Sequence, residues 1–256
     1  MKTMENNREM KMQLLKEFGI TDDKKSVDFC REAYKFLTEG EDVKKLNPSC
    51  DIISDADTEP QAVDLGLPSG TLWCDRNVGA KSPYDDGAYF SWGNTEPHYP
   101  KQDDNDWGDN DEAFEGTCFD EDSYQETAGA KLEGNIDLAH DAANVNMGEQ
   151  WQMPTKEQFE ELAEHCIWQR KTINGVNGYK VTSKTNGNSI FFACSGYGNG
   201  TSRNFRGSDG YYWSSTFISS RNARRLYFYS GGVIPQSSNY RYNGFPVRPV
   251  QNLSRR

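Results

Sequence analysis

The residue types that most often carry covalent or metal chemistry are few in this chain and badly spaced for it. Its three histidines, His98, His140 and His165, stand apart, and none sits where a nucleophile and a base could be paired. Six cysteines (Cys30, Cys50, Cys74, Cys118, Cys166 and Cys194) form no Cys-x-x-Cys pair and lack zinc-ligand spacing. They are expected to be free, buried thiols. Asp104, Asp106, Asp109 and Asp111 cluster, which invites a calcium reading. With Asp104 as first ligand, however, Asp109 falls where a calcium loop needs its turn glycine, and only Glu115 fits the closing position. A solvated acidic loop is the expectation there. No catalytic residue, metal or cofactor is therefore expected. The chemistry the sequence does favour is non-covalent recognition. From Gly196 to Val250 the chain is dense in Tyr, Ser, Asn, Arg and Gly, the composition of a binding surface: aromatics give large contacts at low entropy cost, and small polar residues adapt their hydrogen bonds. After Lys184 there is no Lys, Glu, Met or His, and Asp209 is the only acid.

That stretch also breaks the charge balance. The 256-residue chain has a net charge of −11, yet residues 1–184 carry −19 and residues 185–256 carry +8, all of the latter's bases being arginines. An acidic protein with a local arginine face is not built as a nucleic-acid binder, which needs a basic patch that dominates the field. No run is long and apolar enough to span a bilayer, and the N-terminus shows no signal-peptide apolar region. No membrane insertion is expected.

The elements that must position such a surface can be read in order. Residues 3–18 pattern as an amphipathic helix, with Met10, Leu14 and Phe18 on one face and Gly19 as its stop. A second helix starts at Ser26 and aligns Val27, Cys30, Tyr34 and Leu37 before Gly40. Residues 1–58 are thus expected to form a helical N-terminal module with a linker, either a cap packed on the main domain or a module for attachment to a phage structure or oligomerisation. Residues 59–256 form the expected main domain. Val63, Leu65 and Leu67 alternate as in a strand, Pro68-Ser69-Gly70 is a turn, and Thr71–Cys74 is a second strand. An acidic insertion covers about residues 98–130. Residues 136–146 are expected as a helix ending near Gly148. Thr155 and Gln158 make a capping box that opens a helix burying Phe159, Leu162, Ala163, Cys166 and Ile167. A hairpin turning at Asn186-Gly187 follows.

The blocks AVDLGLPSGTLWC, WQMPTKEQFEEL, NGYKVTSKTNGNSIFF, GYYWSS and GFPVRPV resemble the Fibrobacter succinogenes major paralogous domain family, common in gut Bacteroidales and their phages. The resemblance covers residues 62–250. It implies an α+β fold, C-type-lectin-like and related to the formylglycine-generating enzyme. The enzyme's paired cysteines beside the terminal Gly-Phe block are missing, since the last cysteine is Cys194. The calcium-holding loops of sugar-binding lectins are missing too, because Ile234-Pro235-Gln236 offers no carboxylate.

A subset of that fold resembles the variable proteins of diversity-generating retroelements, in which template adenines are randomised and an AAC codon becomes any NNC codon. Such codons cannot give Lys, Glu, Gln, Met or Trp. From Arg203 to Asn243 only Trp213 and Gln236 lie outside the reachable set. In Arg225-Leu226-Tyr227-Phe228-Tyr229 the candidate variable residues alternate with apolar ones, so a strand would turn one face outward and pack the other.

The ligand-binding face implied by this resemblance comprises Phe205, Asp209, Tyr211, Phe217, Ile218, Arg221, Asn222, Arg225, Tyr227, Tyr229, Gly232, Ile234, Ser237, Ser238, Asn239, Tyr240, Tyr242 and Asn243, all expected to be exposed and contiguous. The expected function is receptor binding without catalysis, the ligand being a cell-surface protein or glycan. The expected setting is a phage virion, or the host cytoplasm before lysis. A bacterial surface adhesin without diversification is the alternative, and a formylglycine-generating-enzyme-like enzyme is the third class.

Overall fold

The computed structural model describes residues 59–101, 108–116, 119–122, 124 and 134–251. The expected N-terminal helical module, residues 1–58, lies outside the described residues.

The α+β, C-type-lectin-like expectation is overturned. Of the described residues 43% are strand and 11% helix, in several small antiparallel sheets with two α-helices. The strands, in chain order, are β1 (Ala62–Asp64), β2 (Leu72–Cys74), β3 (Tyr89–Phe90), β4 (Gly108–Asn110), β5 (Cys166–Ile173), β6 (Val176–Ser183), β7 (Ser189–Ala193), β8 (Tyr197–Asn199), β9 (Ser202–Arg206), β10 (Gly210–Phe217), β11 (Asn222–Tyr229), β12 (Gly232–Tyr240), β13 (Phe245–Pro246) and β14 (Val250–Gln251). The helices are α1 (Ala142–Met147) and α2 (Lys156–His165). The sheets are β1-β2-β14, β10-β11-β12, β13-β3, β4-β9-β8 and β5-β6-β7. The physical reason is punctuation. Glycine, Asn and Ser break the chain every few residues after α2, so no further stretch there sustains a 3.6-residue apolar period, while backbone groups still need partners and find them in short ladders.

Helix α2 starts where its capping box predicts. Thr155 Oγ1 accepts from the Gln158 N–H, and the Gln158 side chain accepts from the Thr155 N–H. Phe159 and Leu162 are fully buried. The expected continuation to Ile167 fails, because the chain turns to strand at Cys166 and leaves Ile167 56% exposed. The β5–β6 hairpin that follows turns at Asn174-Gly175, both at positive φ, and the expected hairpin with its turn at Asn186-Gly187 forms next, joining β6 to β7. The expected 136–146 helix is likewise split into a 3-10 turn at Leu138–His140 and α1, capped by Asp137 and Asp141.

Two apolar clusters lie on either side of β10-β11-β12. One packs Phe159 and Leu162 of α2 with Tyr212, Leu226, Phe228 and Phe192. The other gathers Trp92, Tyr211, Trp213, Ala223 and Phe245. The indoles fix the second: Trp213 Nε1 donates to the Phe90 carbonyl at 2.7 Å and Trp92 Nε1 to the Ser214 carbonyl at 2.8 Å. Tyr212-Trp213-Ser214-Ser215 is thus wholly interior. The acidic insertion is not merely solvated. Its strand β4 pairs with β9, and Phe114 and Phe119 bury against Tyr89 in a small core of their own.

Cys74, Cys166 and Cys194 are free and buried, and burial pushes their thiols up to about 12, 11 and 12 respectively. Among the described residues no helix is long and apolar enough to cross a membrane.

Asp141 links α1 to the irregular segment leading into α2. Its Oδ1 accepts from the Ala143 and Asn144 N–H groups and its Oδ2 from the Met153 N–H, at 2.8–3.0 Å. Burial is the leading influence and raises its carboxyl to about 6, against the pull of those donors. The folded chain therefore takes up a proton here at a higher pH than the unfolded chain does. The site's contribution to stability is fullest below the ordinary Asp value of about 4 and is lost as pH rises through about 6. Wild type is expected to lose part of its stability margin over the non-titrating Asp141→Asn between those pH values, measured by urea unfolding. A margin that grows over that interval contradicts it.

Candidate functional site

The sheet β10-β11-β12 carries most of the candidate face, and its register decides which side chains meet. In β11, Leu226 and Phe228 are fully buried while Tyr229 is 37% exposed, the alternation a strand imposes when one side packs on a core. Arg225 lies opposite Ser237, Tyr227 opposite Ile234 and Tyr229 opposite Gly232. Between Arg225 and Tyr227 the partner strand holds one extra residue, a bulge that accommodates Pro235.

The first group of candidates is an aromatic cluster around one cation. The Arg225 guanidinium lies 4.6 Å from the Tyr211 ring centroid, 4.9 Å from Tyr227 and 5.4 Å from Phe245. Its Nε donates to the Ser238 carbonyl at 3.3 Å. Tyr211 and Tyr227 both donate their hydroxyls to Asp209 Oδ2, at 3.3 and 2.9 Å. Burial first, and Asp209 second, raises the Tyr211 phenol. For Tyr227, burial again leads, followed by its hydrogen bond to Asp209. Tyr229 stacks on Tyr227 at 5.3 Å and 9°.

Phe205 extends this cluster through Tyr197, whose ring lies 6.2 Å away and nearly parallel. Phe205 is 45% exposed and has φ 59, an uncommon left-handed conformation for a bulky residue. Asp109 of the insertion accepts from the Phe205 N–H at 2.8 Å and holds that turn in place. Backbone strain of this kind persists where surrounding contacts over-determine it.

The second group sits at the far end of the strands. Asn222 lies opposite Tyr240, and Ser238 opposite Arg224. By strand alternation these pairs point to the opposite side of the sheet from Arg225 and Ser237. Tyr240, 48% exposed, stacks on Tyr242 at 5.3 Å and 7°. Asn243 Nδ2 donates to Asn239 Oδ1 at 3.1 Å. Phe217 packs 6.1 Å from Trp92, whereas Ile218 and Arg221 stand on the exposed turn between β10 and β11, with Arg221 3.9 Å from Glu121.

The candidates therefore do not form one continuous outward face. Tyr211 is 6% exposed and Asn243 3%, so exposure at every member is also corrected. Tyr211 is enclosed because it supports Arg225 from below and meets Tyr197 and Phe245 at 5.0 and 5.6 Å. Asn243 is enclosed because it ties the end of β12 to Asn199 of β8. The remaining members are exposed or half-buried. Sequence reasoning missed Tyr197, which lies before the reachable window, although the flanking Gly196 and Gly198 mark a backbone that approaches others closely.

Residues 151–250 match a family described as a domain of unknown function (DUF8237), a span that runs from Trp151 through all of β10-β11-β12 to β14. No curated protein matches the chain. No solved structure matches it.

Proposed function

We propose that this chain is a non-enzymatic receptor-binding protein whose recognition surface is built on β10-β11-β12 and varied by a retroelement. Its setting is a phage tail, and its ligand is a molecule on a cell surface. The observation that carries this reading is the division of labour in β11 and β12. NNC-reachable Tyr229, Ile234 and Tyr240 are 37%, 42% and 48% exposed, while their neighbours Leu226 and Phe228 are fully buried. Side chains so placed can change without unfolding the sheet, and the exposed aromatic and aliphatic pair Tyr229 and Ile234, on one side of it, is of the kind that marks binding sites. The phage setting rests on the family resemblance of the quoted sequence blocks.

Replacing Phe205, Tyr229, Ile234 and Tyr240 together by Ser or Ala is expected to move the melting temperature by only about a few degrees, as surface substitutions do, while abolishing capture of the host-cell ligand. The DNA beside the gene is expected to hold a reverse transcriptase and a near-identical repeat differing mainly at adenines. A quadruple variant that unfolds, or that binds host cells as wild type does, refutes the recognition surface. Neighbouring DNA without the repeat refutes the diversification.

A further inference from the structure

Arg225 is the one surface arginine of the sheet that the fold surrounds with aromatic rings and leaves without an acid. Nη1 is buried and has no hydrogen-bond partner. Asp209, the acid that shares Tyr211 and Tyr227 with Arg225, is occupied by the hydroxyls of those two residues and forms no ion pair with Arg225 among the described residues. Rings on the guanidinium faces help to offset its desolvation, but its edge still requires an acceptor, and a buried donor left unmade is costly. Burial accordingly holds the Arg225 pKa below its ordinary value.

We infer that Arg225 is the anchor point for a single carboxylate on a protein ligand that carries no net negative charge, an inference that rests on the recognition reading above. The carboxylate accepts from Nη1 as the Tyr227 ring, itself half-buried and at the surface, swings aside. Exposed Tyr229 and Ile234 beside it receive the apolar side chains that flank the acid. This pairing of a desolvated arginine with an apolar surround is the anatomy of interface hot spots. A polyanion such as nucleic acid or a sulfated glycan is the poorer occupant. It needs a stripe of accessible cations, whereas Arg203, Arg241 and Arg248 are buried, Arg206 is paired with Asp86, and the chain's net charge of −11 repels it at long range.

The test pans random peptides of about 12 residues, displayed on phage, against the full chain, and then measures synthetic copies by calorimetry. Recovered peptides are expected to share an Asp or Glu beside aromatic or aliphatic residues. Changing that acid to its amide is expected to weaken binding to wild type about tenfold or more, and to change binding to Arg225→Gln by less than about threefold, the signature of direct coupling. Arg225→Lys, which keeps the charge and loses the planar fork, is expected to fall between them; it also serves if Arg225→Gln unfolds. An equal amide effect in wild type and variant overturns the inference, as does binding of heparin or single-stranded DNA in place of acid-bearing peptides, or recovery of no peptide. Binding that is independent of the acid yet lost on Tyr229→Ala or Ile234→Ala overturns only this inference. Binding indifferent to all of these substitutions overturns the recognition reading as well.

Discussion

Arg248→Met is expected to lower the unfolding free energy by about 3–5 kcal/mol, because it strands several buried acceptors at about 1–3 kcal/mol each, partly offset by relaxation. Arg248 is fully buried. Its Nε donates to Asn77 Oδ1 at 2.9 Å, Nη1 to the carbonyls of Cys74 and Asp75 at 3.1 and 2.5 Å, and Nη2 to the Phe191 carbonyl at 2.7 Å. Its guanidinium also lies 4.8 Å from the Phe192 ring centroid. One side chain thus joins the end of β2, the loop after it, β7 and the C-terminal block. Methionine fills much of the same volume but leaves four acceptors without a donor in a dry interior, and each costs about 1–3 kcal/mol when stranded. Lysine restores a charge at one point and cannot reach four acceptors spread around a plane, so Arg248→Lys is expected to recover only part of the loss. Equilibrium unfolding in urea measures both. A loss under about 1 kcal/mol for Arg248→Met would mean that water or a rearranged donor satisfies the carbonyls.

Gly210→Ala is expected to cost about 2–3 kcal/mol, at the upper end for overpacking, although it adds a single methyl group. A Cβ at Gly210 would stand 1.9 Å from Phe228 Cζ and 2.3 and 2.5 Å from two further ring carbons. Phe228 cannot yield easily. It is fully buried, with Tyr179, Trp168, Tyr212 and Phe192 rings 5.2, 5.9, 5.9 and 6.3 Å from it. The displaced ring would carry β11 with it, and Phe228 lies between Tyr227 and Tyr229, so the proposed host-cell capture is expected to weaken along with stability. Phe228→Leu removes the obstructing ring atoms, so the double variant is expected to be more stable than the sum of the two single losses predicts. Strict additivity would show that the methyl group clashes elsewhere.

Local chemistry was legible where one short segment carries its own instructions. Thr155 and Gln158 specify a helix start from four residues, and the alternation at Leu226 and Phe228 specifies which side of β11 is interior, whatever the strand packs against. The β6–β7 turn was equally legible at Asn186-Gly187, with Gly187 at φ 79, whereas the apolar Cys166 and Ile167 extend the helical period by coincidence, draw the expected helix past its end and hide β5 with its turn at Asn174-Gly175. The number and pairing of the sheets were not legible. Strands of two or three residues such as β3, β13 and β14 exist only because distant segments lie beside them: Phe245 pairs with Phe90, and Val250 with Trp73. The same holds for the candidate site. Residue type marked Tyr211 as a variable, exposed position, but Phe245 and Tyr197 arrive from other strands and enclose it. Asp109 belonged, by sequence, to a solvated acidic loop, and tertiary pairing of β4 with β9 turned it into the acceptor that holds Phe205. The sequence by itself determined the residue types of the candidate face and the periods of the individual segments, because those depend on side-chain chemistry and local backbone geometry. Which side chains are neighbours, and that Arg225 is left among aromatic rings without an acid, was decided only by long-range pairing, whose partners lie too far apart in the chain for any local pattern to encode.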